Sequence, residues 1–574
     1  MICVCLFLVM PAAADIRLNG RITSETGTPV AGAQVTLRQQ NAPLQGAISD
    51  PTGAFTTSVP TPGRYEVEID REGYFRLTNR TLELGEGINE AQFILNRVRE
   101  VVESVDVSAN PGAVDMDRTT PQLTLNGNNL INVPYPSTNT LRNALRIMPG
   151  VVQDSHGGIH LHGGAEEQTL YTLEGFQIND PLTGRFESRI SVESVNSLEA
   201  TAGRPSAEFG KGSSGVLAVR SRTGDDKLRY SATNFVPGLE HQKGWFIGGW
   251  SPRANVSGPW KTGRAWFSNS VDLQYVNNVI PELPEGEDRN KSWRWSNLLH
   301  NQINLTSSNI LTVGSLVNVW YAPRTGLGAL NPVETTVDRR SRQYFTYIKD
   351  QIYFSRGAVV EFGYSNNRTF GREIPQGHEL YVVTPFGKRG NNFIDANRKG
   401  GRDQWMANLF FPTFQFLGEH RWKAGTDVDR ISYWQDVRRT GVEYATYDFV
   451  PVRRTYYGGS GQLQRSNVEA AAYLQDSWRF RPGLLFEVGV RTDWDRILRN
   501  WNVSPRLGFA WSPFHWERTK ISGGFARIFD ATSLRIFTRP LDQYAISTYF
   551  EPGGDIVRGP ALSIYRIDRP RYAS

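Results

Sequence analysis

Three clustered histidines are the residues whose type and spacing come closest to a metal site. His156, His160 and His162 lie close together, and Asp154 precedes them. In a strand, side chains at i and i+2 point to the same face, so His160 and His162 would present two imidazoles side by side. Imidazole nitrogens bind transition metals, but no second group of ligands is evident in the sequence. Metal binding is one hypothesis for this segment, beside polar contacts and contact with a substrate.

The sequence offers little else that could carry covalent chemistry. It contains no Gly-x-Ser-x-Gly elbow, His-Glu-x-x-His zinc motif, phosphate loop or dinucleotide fingerprint. Its two cysteines, Cys3 and Cys5, both lie in an apolar N-terminal segment. We therefore expect no enzyme activity, no cofactor and no disulfide framework.

The composition of the chain is typical of a protein that crosses a membrane as strands. Aromatic residues make up 11% of the 574 residues and glycines number 55, yet the mean hydropathy is only −0.42. Beyond the N-terminus no uncharged apolar run approaches the roughly 18 residues that a membrane helix needs. A barrel needs apolar residues on its lipid face alone, so it reads as polar on average. The net charge of +6 is dispersed among acidic residues, which argues against nucleic-acid binding.

Residues 1–14 are apolar and uncharged and end in Pro11-Ala12-Ala13-Ala14. This pattern predicts a secretory signal, with the mature chain beginning at or near Asp15. No Lys or Arg precedes the apolar run, which departs from the usual signal. The alternative is a buried strand of the first domain.

Residues 15–96 alternate in short strands separated by Gly- and Pro-containing turns, which predicts a small β-sandwich. Gly27-Thr-Pro29, Asp50-Pro-Thr-Gly53 and Gly63-Arg-Tyr65 resemble the carboxypeptidase regulatory-like domain. The resemblance implies a transthyretin-like accessory module without catalytic residues.

Residues 121–225 carry several signals in a fixed order. These are Met148-Pro149-Gly150-Val151, Leu161-His162-Gly163-Gly164, Glu174-Gly175, Ile178-Asn179-Asp180-Pro181, and the stretch from Leu198-Glu199 to Gly215-Val216. Together they resemble the plug domain of TonB-dependent outer-membrane receptors. The pattern also predicts a short helix from Ser137 to about Ile147, with Leu141, Ala144 and Leu145 on one face, in a small mixed α/β domain.

Residues 226–574 show alternating segments that predict a transmembrane antiparallel β-barrel. In Phe267–Tyr275 and in Phe486–Trp494 one face is polar and the other is apolar with aromatic ends. The polar face of the second segment is Glu487, Gly489, Arg491 and Asp493. The resemblance implies about 22 strands, whereas this length supplies only about 14 to 17 at roughly 20 to 25 residues per strand. We therefore expect an incomplete barrel and a chain that is part of a longer receptor.

Residues 97–120 form a predicted linker that contains a β-prone island. The island is Glu103, Ser104, Val105, Asp106, Val107, Ser108 and Ala109. It resembles a degenerate TonB box, the segment that a periplasmic coupling protein captures as an added strand. The alternatives are a last strand of the sandwich or a plain linker.

Arg204, in Gly203-Arg204-Pro205, resembles the plug arginine of the receptor family. We expect Glu199 and Glu208 to be its partners, because a guanidinium held between plug and barrel needs carboxylates or a polar lumen. The interpretation is plug docking, and a gating role is the competing hypothesis. By the same resemblance, the segment with His160 and His162 is a strand entering a glycine turn, which favours polar contacts in the lumen over a metal.

The resemblance implies an outer-membrane receptor of a Gram-negative bacterium that imports a scarce nutrient. Its partners would be a TonB-type periplasmic energy-coupling protein, outer-membrane lipid and a small or oligomeric substrate. The substrate, the oligomeric state, the strand count and the exact TonB box stay open. The alternative function is a surface or adhesion protein without transport.

Overall fold

A computed structural model gives the fold for most of the chain. The residues described are 16–24, 29–39, 42–71, 74, 77–95, 118–132, 140–154, 157–306, 308–354, 357–513, 519–531, 533–534, 542–551, 553 and 555–564. The predicted signal (1–14), the TonB-box candidate (103–109) and His156 lie outside these residues.

The N-terminal strands form a two-layer sandwich. The strands are β1 (Ile16–Ser24), β2 (Gln34–Gln39), β3 (Ala42–Ile48), β4 (Ala54–Val59), β5 (Gly63–Asp70), β6 (Leu77–Leu84) and β7 (Ile88–Leu95). One sheet has the order β4-β1-β7 and the other the order β3-β2-β5-β6. Alternate residues such as Leu18, Val35, Tyr65 and Phe93 fill the core between them. The predicted sandwich is therefore confirmed.

Gly20 in β1 illustrates how closely this core packs. A Cβ at Gly20 would lie 2.1 Å from the Phe55 ring. The ring occupies the space that any other residue would need, so glycine here serves close packing.

The plug is a small mixed domain around one five-stranded sheet. Its elements are β8 (Gln122–Asn126), α1 (Gly127–Asn132), α2 (Leu141–Ala144), β9 (Val151–Gln153), β10 (Ile159–Leu161), β11 (Thr169–Leu173), β12 (Phe176–Gln177), β13 (Val195–Ala202) and β14 (Gly215–Ser221), with 3₁₀ turns at Leu145–Ile147, Glu166–Gln168 and Val192–Ser194. The sheet order is β12-β11-β14-β13-β8, and β9 and β10 form a separate hairpin. β11 and β14 run parallel and the other pairs run antiparallel.

The predicted plug helix is correct in its end and wrong in its start. Helix α2 and the 3₁₀ turn after it end at Ile147, and Leu141, Ala144 and Leu145 are buried as expected. The helix begins at Leu141 rather than Ser137, because Thr140 has extended backbone angles and its side chain accepts from the Asn143 N–H. The capping hydroxyl sets the start, which the apolar pattern could not locate.

A large antiparallel sheet surrounds the plug. Its strands are β15 (Arg229–Thr233), β16 (Gly238–His241), β17 (Trp245–Trp250), β18 (Arg253–Lys261), β19 (Ala265–Val279), β20 (Arg289–Thr306), β21 (Asn309–Thr325), β22 (Val337–Tyr353), β23 (Val359–Pro375), β26 (Ile394–Phe410), β27 (Phe414–Gln415), β28 (Glu419–Arg439), β31 (Gln462–Arg481), β32 (Leu484–Asp495), β33 (Asn500–Trp511) and β34 (Ile521–Ala526). The main path runs β15-β18-β19-β20-β21-β22-β23-β26-β28-β31-β32-β33-β34. Within the described residues β15 and β34 do not pair with each other, so the sheet is open, as expected for an incomplete barrel.

Two long connections and the segment that follows β34 build a second sheet. Its strands are β24 (Tyr381–Thr384), β25 (Gly387–Arg389), β29 (Gly441–Ala445), β30 (Pro451–Gly458), β35 (Tyr544–Phe550) and β36 (Ile556–Ser563), in the order β25-β24-β29-β30-β35-β36. A further 3₁₀ turn, Val333–Thr335, lies between β21 and β22.

The two faces of the large sheet differ in polarity as the sequence predicted. In β19 the side chains of Ser268, Ser270 and Asp272 are buried toward the plug. On the other face Phe362 and Val488 are 51% and 52% exposed. Among the described residues, no helix is long and apolar enough to cross a membrane.

Candidate functional site

The plug contacts the barrel wall through Arg204, the arginine singled out in the sequence. Its guanidinium donates to the backbone oxygens of Leu507 in β33 and Gly523 in β34, the latter at 2.9 Å. It also donates to the hydroxyls of Thr119 and Thr120, at 2.8 and 3.0 Å. Thr119 in turn donates to the Glu487 carboxylate. Arg204 therefore joins two barrel strands to the start of the plug.

Neither carboxylate expected to hold Arg204 does so. Glu199 accepts from Gln122 Nε2 at 2.7 Å, inside the plug sheet. Glu208 lies beside Lys423 of β28, with 3.1 Å between the charged groups. The prediction of these partners is wrong because backbone carbonyls and threonine hydroxyls satisfy the guanidinium. Glu208 nevertheless contacts the barrel through its own lysine.

Two barrel arginines hold the plug segment that follows Arg204. Arg506 donates to the backbone oxygens of Pro205 and Phe209, both at 2.6 Å, and to that of Ser206. Arg491 donates to the Glu208 backbone oxygen at 2.9 Å. Both arginines are buried on the polar face of their strands. Sequence reasoning placed Arg491 on that face but gave neither arginine a role, because nothing local reveals a partner about 300 residues away.

Lys211, in the turn before β14, is a second docking point that the sequence did not single out. Its Nζ lies 2.6 Å from Asp429 Oδ2 of β28 and also contacts Glu469 of β31. Burial lowers the pKa of Lys211, but the two carboxylates raise it more, so the pKa lies above its ordinary value. Arg402 of β26 lies 3.0 Å from Asp429 as well. The four side chains form a buried network of two cations and two anions.

The opposite side of the plug combines polar contacts with apolar packing. Arg189 Nε donates to Asp272 of β19 at 2.6 Å, and Ser188 donates to Gln343 of β22 at 2.9 Å. The apolar core of the plug continues into the wall strands β20 to β22. The wall residues in that core are Leu298, Leu316, Phe345 and Tyr347.

Glu174 and Lys349 form another buried ion pair between plug and wall. Their charged groups lie 3.7 Å apart and each side chain is 1% exposed. Glu174 has a positive φ of 56° and Gly175 follows with φ 91°, so the chain turns sharply between β11 and β12. This turn is the Glu174-Gly175 signal recognised in the sequence.

A cavity of about 2070 Å³ lies between the plug and the wall. Its lining includes Asp180 and Arg185 of the plug and Arg294, Trp320 and Tyr433 of the wall. On β21, β22 and β23 the residues that line the cavity lie near the strand ends that lead into the long connections 326–336 and 376–393. At the opposite end of the sheet, β22 and β23 are joined by the short connection 354–358. Small-molecule pockets measure roughly 300–1,000 Å³, so this cavity has room for an oligomer.

The two described histidines do not share a strand face. Strand β10 ends at Leu161, and His162 has φ 48°, so its ring lies beside Gly150. The expectation of a side-by-side pair is therefore wrong. The His160 ring nitrogens lie 2.9 Å from the Gly164 oxygen and 3.1 Å from Asp154 Oδ2. Among the described residues no group of three metal-ligating side chains occurs.

The two neighbours of His160 favour its protonated form. Both ring nitrogens face acceptors, and only the protonated ring donates from both. The hydrogen bond with Asp154, followed by that with Gly164, raises the pKa of His160.

Comparison with protein families matches two parts of the chain. Residues 17–95 match the carboxypeptidase regulatory-like domain. Residues 360–562 match the TonB dependent receptor-like β-barrel. The two matches correspond to the sandwich and to the later part of the large sheet.

One curated relative aligns along most of the chain. The TonB-dependent transporter Oar of Myxococcus xanthus is 20% identical over 685 residues, which cover 90% of this chain and 62% of that protein. The chain thus spans less than two thirds of the relative's length.

Solved structures share the fold at low sequence identity. The outer membrane transporter YddB of Escherichia coli has a TM-score of 0.57 at 15% identity, over 73% of this chain and 62% of that one. The siderophore receptor PirA of Acinetobacter baumannii has a TM-score of 0.56 at 16% identity, over 72% and 61%. The receptor PirA of Pseudomonas aeruginosa has a TM-score of 0.51 at 17% identity, over 72% and 62%.

The family matches, the relative and the shared plug-and-barrel fold agree with one another and with the docking contacts described above. The chain is similar in sequence and in fold to TonB-dependent receptors, and its residues 17–95 match a carboxypeptidase regulatory-like domain ahead of the plug.

Proposed function

We propose that the protein imports a ligand through the lumen when a TonB-type periplasmic protein pulls on the plug. The observation that carries this proposal is the docking of the plug, which blocks the lumen beneath a large cavity. Barrels of this class have short periplasmic turns and long external loops, so the cavity would face the outside. Ligand would bind there and pass only after the plug moves.

The contacts of the plug support a movement that starts on one side. Residues 203–211 touch β28 to β34 through hydrogen bonds and ion pairs, as at Arg204, Arg506 and Lys211. The wall at β20 to β22 adds apolar packing to its polar contacts with the plug. A hydrogen bond that opens is replaced by one to water at a net cost of only about 0.5–1.5 kcal/mol, whereas apolar surface that becomes exposed gains no such compensation. The side at residues 203–211, held by polar contacts, would therefore release first.

Arg204 and Glu208 would then act in docking, and Arg204 in gating as well. Both contact barrel residues, through the Leu507 carbonyl and the Lys423 ammonium. Glu199 would serve the plug sheet only, since Gln122 is its partner. His160 would hold the β9–β10 hairpin through Asp154 rather than bind a metal.

The chain would be divided by function along its length. Residues 1–14 would be a signal peptide, 15–96 the accessory sandwich, 97–120 the coupling linker, 121–225 the plug and 226–574 the barrel.

The coupling protein would bind Glu103 to Ala109 as an added strand. The exposed apolar face of the large sheet would contact outer-membrane lipid. Import would be binding and gating without covalent chemistry, and neither a cofactor nor nucleic acid would take part.

Capture of the coupling protein tests this proposal. The periplasmic domain of a TonB-type protein would be immobilised and the full chain applied in detergent, as wild type, Val105→Pro and Val105→Thr. Proline removes a backbone donor from an added strand, whereas threonine keeps β propensity. We expect capture of wild type and Val105→Thr, with at least about tenfold less Val105→Pro, the loss of roughly 1.4 kcal/mol or more. Equal capture of all three would refute the assigned segment, and capture of none would favour a surface or adhesion protein.

A further inference from the structure

A row of side chains crosses one wall of the cavity, one from each of five neighbouring strands. We call Arg294 (β20), Trp320 (β21), Arg339 (β22), Glu373 (β23) and Arg398 (β26) the basic row. Side chains along a strand alternate between the two faces of the sheet, and each of these five lies on the polar face toward the plug. All five line the cavity.

The members of the basic row touch in sequence. The guanidinium carbons of Arg294 and Arg339 lie 4.5 and 4.8 Å from the centre of the Trp320 ring. Arg339 lies 3.6 Å from Glu373. Arg398 lies 3.3 Å from the other oxygen of the same carboxylate. The contacts make one continuous row.

The row carries more positive than negative charge. Two of its three guanidiniums, those of Arg339 and Arg398, contact the single carboxylate of Glu373. In the described part of the chain no carboxylate lies within 4 Å of Arg294, whose contact is the Trp320 ring. The net charge of the row is therefore +2.

The row also has more hydrogen-bond donors than acceptors. Trp320 Nε1 is buried and has no acceptor among the described residues. A guanidinium has five N–H donors and no acceptor, so three of them exceed what one carboxylate can accept. An acceptor-rich, negatively charged ligand would satisfy these donors.

The length of the row indicates an extended ligand. Neighbouring strands lie about 4.8 Å apart, so Arg294 and Arg398, four strands apart, are separated by roughly 19 Å. An extended peptide covers that distance in about six residues. Guanidiniums already contact the Trp320 ring, which leaves less of it for a sugar to stack on and favours a peptide over an oligosaccharide.

We propose that the basic row binds an acidic peptide of about six residues, with its carboxylates on Arg294 and Arg398. This inference rests on the proposed import function, because it assigns the ligand of that cavity. Carboxylates pair with guanidiniums through two parallel hydrogen bonds, which gives the site its preference for acidic side chains.

Equilibrium binding to the purified full chain tests the assignment. The probes are hexaglutamate, uncharged hexaglutamine and hexagalacturonate, applied at one low salt concentration. We expect hexaglutamate to bind at least about tenfold more tightly than hexaglutamine, with about tenfold weaker binding in Arg294→Gln or Arg398→Gln. Glu373→Gln removes the only negative charge of the basic row and should tighten binding by a few fold, a gain that structural damage would not produce.

Arg368→Gln is the matched control. Arg368 lies on the same strand as Glu373 but on the outer face, paired with Asp403 at 2.7 Å, and it does not line the cavity, so its loss should leave binding within about twofold. Equal binding of hexaglutamate and hexaglutamine, or equal losses in Arg368→Gln and Arg294→Gln, would overturn the proposal. Binding of hexagalacturonate alone would overturn the peptide assignment. Because binding in detergent needs no coupling protein, these failures would leave the capture result, and with it the import function, standing.

Discussion

Lys211 of the plug lies 2.6 Å from Asp429 of the barrel wall, and the two side chains are 10% and 1% exposed. The residues are far apart in the sequence, and each belongs to a different domain. Removing one partner of a buried ion pair is costly because the other partner is left as an unpaired charge that water cannot reach. The pair is therefore a sensitive probe of how firmly the plug is docked.

Replacing Lys211 with methionine should loosen the plug. Asp429 and Glu469 would lose their shared ammonium, and we expect a loss of about 3–5 kcal/mol in the free energy of local opening. Hydrogen exchange at the β14 amides measures it. The double variant with Glu469→Gln should recover a large part of the loss, because Asp429 keeps Arg402 as its partner at 3.0 Å and no unpaired charge remains. Equal instability of both variants would show that packing, rather than charge, holds this point.

Arg204→Ala should weaken docking on the same side of the plug as Lys211→Met, but by a smaller free energy. The guanidinium donates to two barrel carbonyls and two threonine hydroxyls, so its loss leaves several acceptors unpaired. We expect a loss of about 1–3 kcal/mol, again in local opening of the plug. Gln168→Ala, which removes one exposed contact with Asp530 and one local hydrogen bond from the Ala165 N–H, is the control and should have less effect. An unchanged opening free energy in Arg204→Ala would remove Arg204 from the docking set.

Gly20→Ala should destabilise the sandwich. The new methyl group would lie 2.1 Å from the Phe55 ring, and a well-packed core adapts to such crowding at a cost of about 1–3 kcal/mol. Gly46→Ala is the matched control, because its nearest neighbour would be the Val35 oxygen at 3.5 Å. Hydrogen exchange of β1 and β4 amides measures the difference. Similar protection in both variants would contradict the packing argument.

The β9–β10 hairpin should become less protected as the pH rises. The pKa of His160 is raised above 6.5 by its hydrogen bonds to Asp154 and Gly164. A raised folded-state pKa gives stability that is complete below the unfolded value of 6.5 and is lost as the pH rises through the folded value. Protection factors in β9 and β10 should fall between pH 6 and pH 8 in the wild type. The same factors should stay level in His160→Gln, and a matching fall there would exclude His160 as the cause.

Local patterns predicted the strands of this protein well. The alternation in residues 486–494 identified Glu487, Arg491 and Asp493 as one polar face, because the two-residue period is a property of the strand itself. The order of motifs identified the plug for a similar reason. Each signal, such as Glu174-Gly175, marks a local backbone turn.

The docking partners could not be predicted in the same way. Glu199 and Glu208 were expected beside Arg204 because they are close in sequence, yet each points to another partner. Arg506 and Lys211 have partners hundreds of residues away, across a domain boundary. The basic row likewise depends on the register of five strands, which no single segment reveals.

Thiol labelling of the plug in living cells tests the account most directly. Ala207 is fully buried between the plug and β32, and the only cysteines of the chain, Cys3 and Cys5, can be changed to serine. Ala207→Cys would be exposed to a maleimide in cells in native growth medium, with and without a protonophore that collapses the inner-membrane gradient. The account predicts labelling that is several times faster in energised cells and that slows to the de-energised rate in Val105→Pro. Equal rates in energised and de-energised cells would contradict energy-driven movement of the plug.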